Sequence, residues 1–149
     1  MRRLLAVAAL LAFAACNDGA TVAGGGDRKP QLRVSAASSL EEALTACAPG
    51  YAGAAVQLRF AGSDELAAQL RRGVPADVFA AAGTALPEAL AQEGKLEAPV
   101  EFASLDPTAT YAAGVVTAAA QPEAAQAFVD DLLAGGCHDA LLAAGFGEP

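Results

Sequence analysis

Two strand-to-helix turns made of small and hydroxyl residues constrain this chain most strongly. The first lies in Leu32–Cys47, where apolar and polar residues alternate as in a strand before helical spacing begins at Leu40. The second follows the strand Val56–Phe60 and carries Ser63. A turn of this kind leaves free backbone N–H groups and the positive end of a helix dipole at the carboxyl edge of a sheet, where an anion can bind.

The serines of these turns also have a purely structural interpretation. Ser38 and Ser39 each precede a glutamate by three residues, Glu41 and Glu42, so either serine can form a capping box. Serine is a common helix cap, and a single turn considered alone favours that interpretation.

Strand and helix patterns alternate along the rest of the chain. This predicts an α/β fold: a three-layer arrangement with a mixed, mostly parallel sheet and helices on both faces. The remaining strand candidates are 76–82, 99–102 and 111–116, and the helix candidates are 63–72, 84–93, 122–134 and 138–144.

The predicted sheet brings the two serine turns together. Ligands of such sheets bind beyond the carboxyl ends of the strands, often where the strand order reverses. Two serine turns on adjacent strands would direct two helix N-termini at one point, which favours an anion site over simple caps. Neither turn contains Lys or Arg, so hydroxyl and N–H donors would bind a small, fully ionised tetrahedral oxyanion.

The first residues indicate export. Residues 1–16 combine two arginines with a short apolar run that ends in Phe13-Ala14-Ala15-Cys16, a signal peptide with a lipobox-like end. Lipidation at Cys16 and ordinary cleavage near Ala14 are the alternatives. Residues 17–31 are a glycine-rich flexible linker, and 32–149 form a single domain.

The net charge and the cysteine content bear on which kinds of functional site this chain can have. Without the two leader arginines, seven basic and 17 acidic residues remain, a net charge of −10, which argues against a nucleic-acid surface. Cys47 and Cys137 either form a disulfide or are two buried thiols. No spacing typical of a metal-cation site occurs.

Two single residues have structural interpretations. Asp77 is interpreted as a strand-end acid bonded to backbone, and His138 as a satisfied or solvated histidine.

Several segments resemble the periplasmic molybdate-binding protein family, the substrate-binding component of the molybdate ABC importer. They occur in family order and cover most of 32–149. The matching segments are VSAASSLEEAL at 34–44, FAGSDELAAQLRRGVPADVFAAAG at 60–83, PVEFA at 99–103, TYAAGVV at 110–116, PEAAQAFVDDLL at 122–133 and AAGF at 143–146.

The resemblance implies a type II periplasmic-binding-protein-like fold, in which two lobes enclose an oxyanion. By position, the family's ligand residues correspond to Ser39, Ser63 and Tyr111. The family has a second lobe between the segments like PVEFA and TYAAGVV, whereas here residues 104–110 bridge that interval. The domain at 32–149 therefore corresponds to a single solute-binding lobe.

Three functions follow as alternatives. The first is the substrate-binding component of an ABC importer for molybdate or tungstate. Such a protein would be exported, held at the membrane only by a lipid anchor, and would act with the importer's membrane subunits without a cofactor. The second is a truncated, non-functional remnant of such a protein. The third is an enzyme with Ser39 or Ser63 as nucleophile, which the sequence disfavours because it has no G-x-S-x-G turn and only one histidine.

Overall fold

The computed structural model describes residues 28–149; the predicted signal peptide, Cys16 and most of the predicted linker lie outside them. The described chain contains five strands and five α-helices. They are β1 Gln31–Ala37, α1 Glu41–Cys47, β2 Ala55–Ala61, α2 Ser63–Arg71, β3 Val78–Ala82, α3 Ala85–Gln92, β4 Val100–Ser104, β5 Thr110–Val115, α4 Pro122–Ala134 and α5 Gly136–Ala143.

The five strands form one sheet in the order β2-β1-β3-β5-β4. The first strand pairs in parallel with both β2 and β3, and β5 runs antiparallel to its two neighbours β3 and β4. Four strands therefore share one direction, which confirms the mixed, mostly parallel sheet. The chain places β2 on one side of β1 and β3 on the other, so the strand order reverses at β1.

Successive residues of the buried strand β3 alternate between two cores. Val78 and Ala80 pack in the core formed with α1, α4 and α5, while Phe79 and Ala81 pack in the core formed with α2 and α3. This period of two follows from the pleat of a strand that is covered on both faces. The predicted three-layer arrangement is thus confirmed.

Two of the helices end at glycines. Gly73 and Gly94 have φ angles of 83° and 69°, and each lies two residues after the last residue of its helix, α2 or α3. Residues with a side chain avoid this region of backbone space, so glycine ends a helix there at little cost.

A disulfide joins Cys47 in α1 to Cys137 in α5, with their Cα atoms 5.0 Å apart. The sequence left open whether these two cysteines pair, because they stand 90 positions apart. The two helices lie side by side on the same face of the sheet, which brings the cysteines within bonding distance. The bridge therefore ties the helix that follows the first serine turn to the C-terminal helix.

Asp77 is fully buried just before β3, and its carboxylate accepts four hydrogen bonds. The donors are the backbone N–H groups of Arg33 and Ala120, both at 2.8 Å, and two guanidinium nitrogens of Arg33 at 3.1 and 3.2 Å. Burial by itself raises the pKa of Asp77, but these hydrogen bonds outweigh it and hold that pKa below its ordinary value of 3.8. The predicted backbone-bound acid is confirmed, with Arg33 as an additional partner.

A five-residue turn connects β4 to β5. Leu105 N–H donates to the carbonyl of Ala109 at 3.0 Å, and the Asp106 carboxylate accepts from the backbone N–H of Thr108 at 2.7 Å. The Leu105 side chain is 50% exposed at this turn. The two strands are thus joined directly, at the position where the resembled family has its second lobe.

His138 lies near the start of α5, where its two ring nitrogens contact Leu132 O and a Glu148 carboxylate oxygen, each at 3.3 Å.

Among residues 28–149, no helix is both long and apolar enough to span a membrane. Over the same residues, no group of three or more His, Cys, Asp or Glu side chains could hold a metal ion.

Candidate oxyanion site

The two serine turns lie next to each other at one edge of the sheet. Ala37, the last residue of β1, pairs with Ala61, the last residue of β2. Ser39 follows the first of these strand ends by two residues, and so does Ser63 the second. Because β1 and β2 run in parallel, both turns emerge at the carboxyl edge, beside the point where the strand order reverses.

Ser39 lies in a short 3-10 turn, Ser38–Leu40, between β1 and α1. The predicted capping boxes are wrong, because neither this turn nor α1 has a side-chain hydrogen bond at its cap. Strand β1 extends to Ala37, so the turn starts later than the sequence indicated. The Ser39 hydroxyl instead accepts a hydrogen bond from the Tyr111 hydroxyl at 3.1 Å.

Ser63 is the first residue of α2, and Gly62 occupies the cap position without a side-chain bond. The Ser63 hydroxyl accepts a hydrogen bond from the backbone N–H of Ala82, at the end of β3, over 3.1 Å. Ala82 in turn pairs directly with Tyr111 in the sheet. Ser39, Tyr111, Ala82 and Ser63 therefore form one continuous chain of contacts along the edge.

Tyr111 combines a buried position with a polar tip. The residue is 3% exposed, and the rings of Phe102 and Phe146 flank it at centroid distances of 6.4 and 5.2 Å, both in edge-to-face orientation. A buried tyrosine usually needs a hydrogen-bond partner for its hydroxyl, and Ser39 supplies it here.

Sequence reasoning missed a third strand-to-helix turn at this edge. Strand β3 ends at Ala82 and α3 begins at Ala85, with Gly83 at φ 92° between them. Gly83 N–H donates to the carbonyl of Thr110 at 2.8 Å, so this turn lies against the start of β5. Its signal was the sequence Gly83-Thr84 between a buried run and a helix, which lacks the serine that marked the other two turns.

The edge provides neutral donors and lies open to solvent. Ser38, Ser39, Gly62 and Ala82 are all exposed. Two of the chain's cations, Arg33 and Arg71, are occupied by ion pairs with Asp77 and Glu93. Carboxylates occur in the first turns of α1 and α2, so long-range charge does not favour anions here. Binding would depend on local hydroxyl and N–H donors.

A cavity of about 460 Å³ occurs elsewhere, beside the beginning of β2, where Lys29, Tyr51 and Val56 contribute to its lining. It contains none of the three candidate residues. The candidate site is therefore an exposed edge with convergent donors, and residues 28–149 do not enclose it in the way that a two-lobed clamp would.

Comparison with known proteins identifies the family to which this chain belongs. The family model described as bacterial extracellular solute-binding protein matches residues 32–108, more than half of the chain. This chain belongs to that family. Its members are solute-binding proteins, not enzymes.

Individual relatives in this comparison are molybdate-binding proteins. The chain is 36% identical over 129 residues to the molybdate-binding protein ModA of Mycobacterium bovis and to that of Mycobacterium tuberculosis, a match over 83% of this chain and 47% of each relative. The chain thus spans about half the length of the curated relatives it matches. The resemblance to the molybdate-binding family, inferred from the motifs, is confirmed.

Two solved structures share the fold. A substrate-binding domain from Clostridium difficile, provisionally assigned to a molybdenum ABC transporter, matches with a TM-score of 0.74 at 14% identity, over 81% of this chain and 100% of that one. The periplasmic molybdate-binding protein of Azotobacter vinelandii matches with a TM-score of 0.71 at 13% identity, over 79% and 99% respectively. At these identities the likeness establishes the fold alone.

Proposed function

We propose that this protein binds a small tetrahedral oxyanion, molybdate or tungstate, as the substrate-binding component of an ABC importer. The observation that carries the proposal is the convergence of Ser39, Ser63 and Tyr111 at the carboxyl edge where the strand order reverses. The names of the curated relatives, which are molybdate-binding proteins, support the choice of anion.

The hydrogen bonds inside the protein determine what the serines can offer a ligand. Ser39 Oγ accepts from Tyr111, and Ser63 Oγ accepts from the N–H of Ala82. Each hydroxyl therefore has its own proton free to donate. A fully ionised oxyanion accepts hydrogen bonds through every oxygen and has no proton of its own, so it suits such donors. Exposed N–H groups at the same turns would add further bonds.

A titration of the purified protein with molybdate, tungstate, sulfate and phosphate tests the proposal. We expect saturable binding of molybdate and tungstate, with phosphate weaker because its remaining proton at neutral pH would need an acceptor at the site. Isothermal calorimetry or NMR chemical shifts at Ser39, Ser63 and Tyr111 would detect it. The absence of saturable shifts with any of the four anions would contradict the proposal.

The main alternative is a truncated, non-functional remnant. The short turn between β4 and β5 and the chain's coverage of about half of its relatives favour that alternative. A remnant would fold as described and yet bind no oxyanion, so the same titration distinguishes the two.

Export and anchoring belong to the same proposal. An exported substrate-binding protein would meet its anion outside the cytoplasm, and a lipid on Cys16 would hold it near the importer's membrane subunits. Mass spectrometry of the mature N-terminus would reveal the lipid, and a mature chain that lacks both Cys16 and the lipid would contradict anchoring.

A further inference from the structure

We propose that Phe146 is a positioning residue for the oxyanion site: its ring holds the Tyr111 side chain so that the hydroxyl reaches Ser39. The inference rests on the proposed function and assigns to the C-terminal segment a part in it. Phe146 follows α5, far from both serine turns in sequence, and is the last residue of the AAGF segment at 143–146.

The contact between the two rings is close and well buried. The Phe146 and Tyr111 ring centroids are 5.2 Å apart with an interplanar angle of 81°, and Phe146 is 7% exposed. Edge-to-face pairs of this kind have a preferred geometry. Because Phe102 contacts the same tyrosine ring, Tyr111 is held between two phenyl rings and its hydroxyl has a fixed direction.

The backbone around Phe146 is anchored on both sides. Phe146 N–H donates to the carbonyl of Leu141 at 3.0 Å, and Gly147 exchanges two backbone hydrogen bonds with Ser104, at 2.9 and 2.7 Å. Gly145 has a φ angle of 93°, which turns the chain from α5 back toward the sheet. The phenyl ring is therefore placed by local backbone structure and not only by packing.

The disulfide connects the same C-terminal segment to Ser39, the hydrogen-bond partner of Tyr111. Cys137 lies in α5, which leads to Phe146, and Cys47 lies in α1, which directly follows the Ser39 turn. Helix α5 is thus connected to Tyr111 through Phe146 and to the Ser39 segment through the disulfide. Tyr111 and Ser39 are themselves joined by a hydrogen bond, so the C-terminal segment is linked to both partners of that bond.

Phe128 offers a matched control. It is fully buried, and its ring contacts the chain's other tyrosine, Tyr51, at 5.2 Å and 89°. The Phe128→Leu variant therefore removes an equivalent ring contact from a tyrosine that is not part of the site. Both leucine variants keep an apolar side chain of similar size, which cores tolerate best.

The first measurement needs no ligand. In protein with isotope-labelled tyrosine, the NMR chemical shift of Cζ, the ring carbon that carries the hydroxyl, reports the surroundings of the Tyr111 and Tyr51 hydroxyls separately. We expect Phe146→Leu to shift the Tyr111 signal alone, because its hydroxyl is no longer held against Ser39, and Phe128→Leu to shift the Tyr51 signal alone. An unchanged Tyr111 signal in folded Phe146→Leu would overturn the positioning role, whether or not the protein binds an oxyanion. If Phe146→Leu does not fold, Phe146→Met provides the second variant, because methionine adapts to irregular core space.

The second measurement is a double-mutant cycle with molybdate as the probe. Phe146→Leu should weaken binding roughly three- to tenfold, as for the loss of one neutral hydrogen bond, and Phe128→Leu should not. In a Tyr111→Phe background, Phe146→Leu should have no further effect, because the hydroxyl that it positions is gone. Equal weakening in both backgrounds would contradict action through Tyr111. If the wild-type protein binds none of the four anions, the proposed function fails, while the Tyr111 Cζ signal still decides the positioning role.

Discussion

The Tyr111 hydroxyl donates a hydrogen bond to Ser39 Oγ across 72 positions of sequence, at 3.1 Å. Tyr111 lies at the start of β5 and Ser39 follows the end of β1, two strands that are separated in the sheet by β3. The bond therefore crosses the end of β3 and connects both sides of the edge where we place the oxyanion. With Tyr111 as the donor, the serine oxygen accepts from within the protein and its own proton is available to a ligand.

The Ser39→Ala variant should bind molybdate more weakly. Loss of one hydrogen bond to a charged group costs about 1.5–3 kcal/mol, which corresponds to roughly a ten- to hundredfold higher Kd. Ser38→Ala is the matched control, since Ser38 is an exposed neighbour in the same turn. Titration calorimetry on both variants makes the comparison. Equal affinities for Ser39→Ala and the wild-type protein would remove Ser39 from the site.

The monomer should bind its oxyanion weakly, with a Kd of roughly 0.1–10 mM, equivalent to about −3 to −6 kcal/mol. The edge is open to solvent, so each donor competes with water at high dielectric and contributes less than it would in a closed cleft. Titration together with light scattering checks this prediction. Submicromolar affinity in a chain shown to be monomeric would contradict the picture of an open, one-lobed site.

Asp77 should make folding stability depend on pH below its ordinary pKa of 3.8. Because the folded-state pKa of Asp77 is lowered, its contribution is fully present above 3.8 and is lost as the pH falls through the lower folded value. Asp77→Asn should cost about 2 kcal/mol or more at neutral pH, since the donors of Arg33 and Ala120 lose a charged acceptor. Urea unfolding at pH 7 and at successively lower pH measures both effects.

The difference between wild type and Asp77→Asn should shrink as the solution becomes more acidic. Glu93→Gln is the control, because it removes the exposed ion pair with Arg71 and should change the unfolding midpoint little. A pH-independent difference between wild type and Asp77→Asn would show that the charge of Asp77 is not what stabilises the fold.

The Cys47–Cys137 disulfide should contribute strongly to stability. A bridge between residues 90 positions apart restricts the unfolded chain, and the loop-entropy relation gives roughly 4–5 kcal/mol for a loop of that length. We expect a large drop in the urea midpoint for the double variant Cys47→Ala, Cys137→Ala, and an equal drop for the reduced wild-type protein. Free thiols detected in the exported, unreduced protein would contradict the bridge.

Local patterns specified most elements of the fold. Apolar residues every second position marked the strands, and spacings of three and four marked the helices, because these periods decide which side chains can share a buried face. Gly73 and Gly94 directly follow the predicted helix ranges 63–72 and 84–93, and glycine readily adopts the positive φ angle that ends each helix. The meeting of the two serine turns also followed from the sequence, because parallel neighbouring strands end at the same edge.

The roles of individual hydroxyl groups could not be predicted in this way. A serine hydroxyl can cap a helix, accept from a distant donor or face solvent, and these options differ by only about one hydrogen bond. For Ser39 the sequence allowed a capping box with Glu42 as well as an anion site, whereas the structure forms no cap bond there and pairs Ser39 with Tyr111. The choice depends on where β5 lies relative to the turn, which no local pattern contains.

Periodicity and chain direction were therefore enough to specify the α/β class, the order of the elements and the sheet edge from which both serine turns emerge. The Cys47–Cys137 bridge, the Ser63–Ala82 hydrogen bond and the placement of Phe146 against Tyr111 depend instead on the three-dimensional packing. Each of these contacts joins residues far apart in sequence. Their distances are set by how the helices pack on the sheet, and that packing is a property of the whole chain.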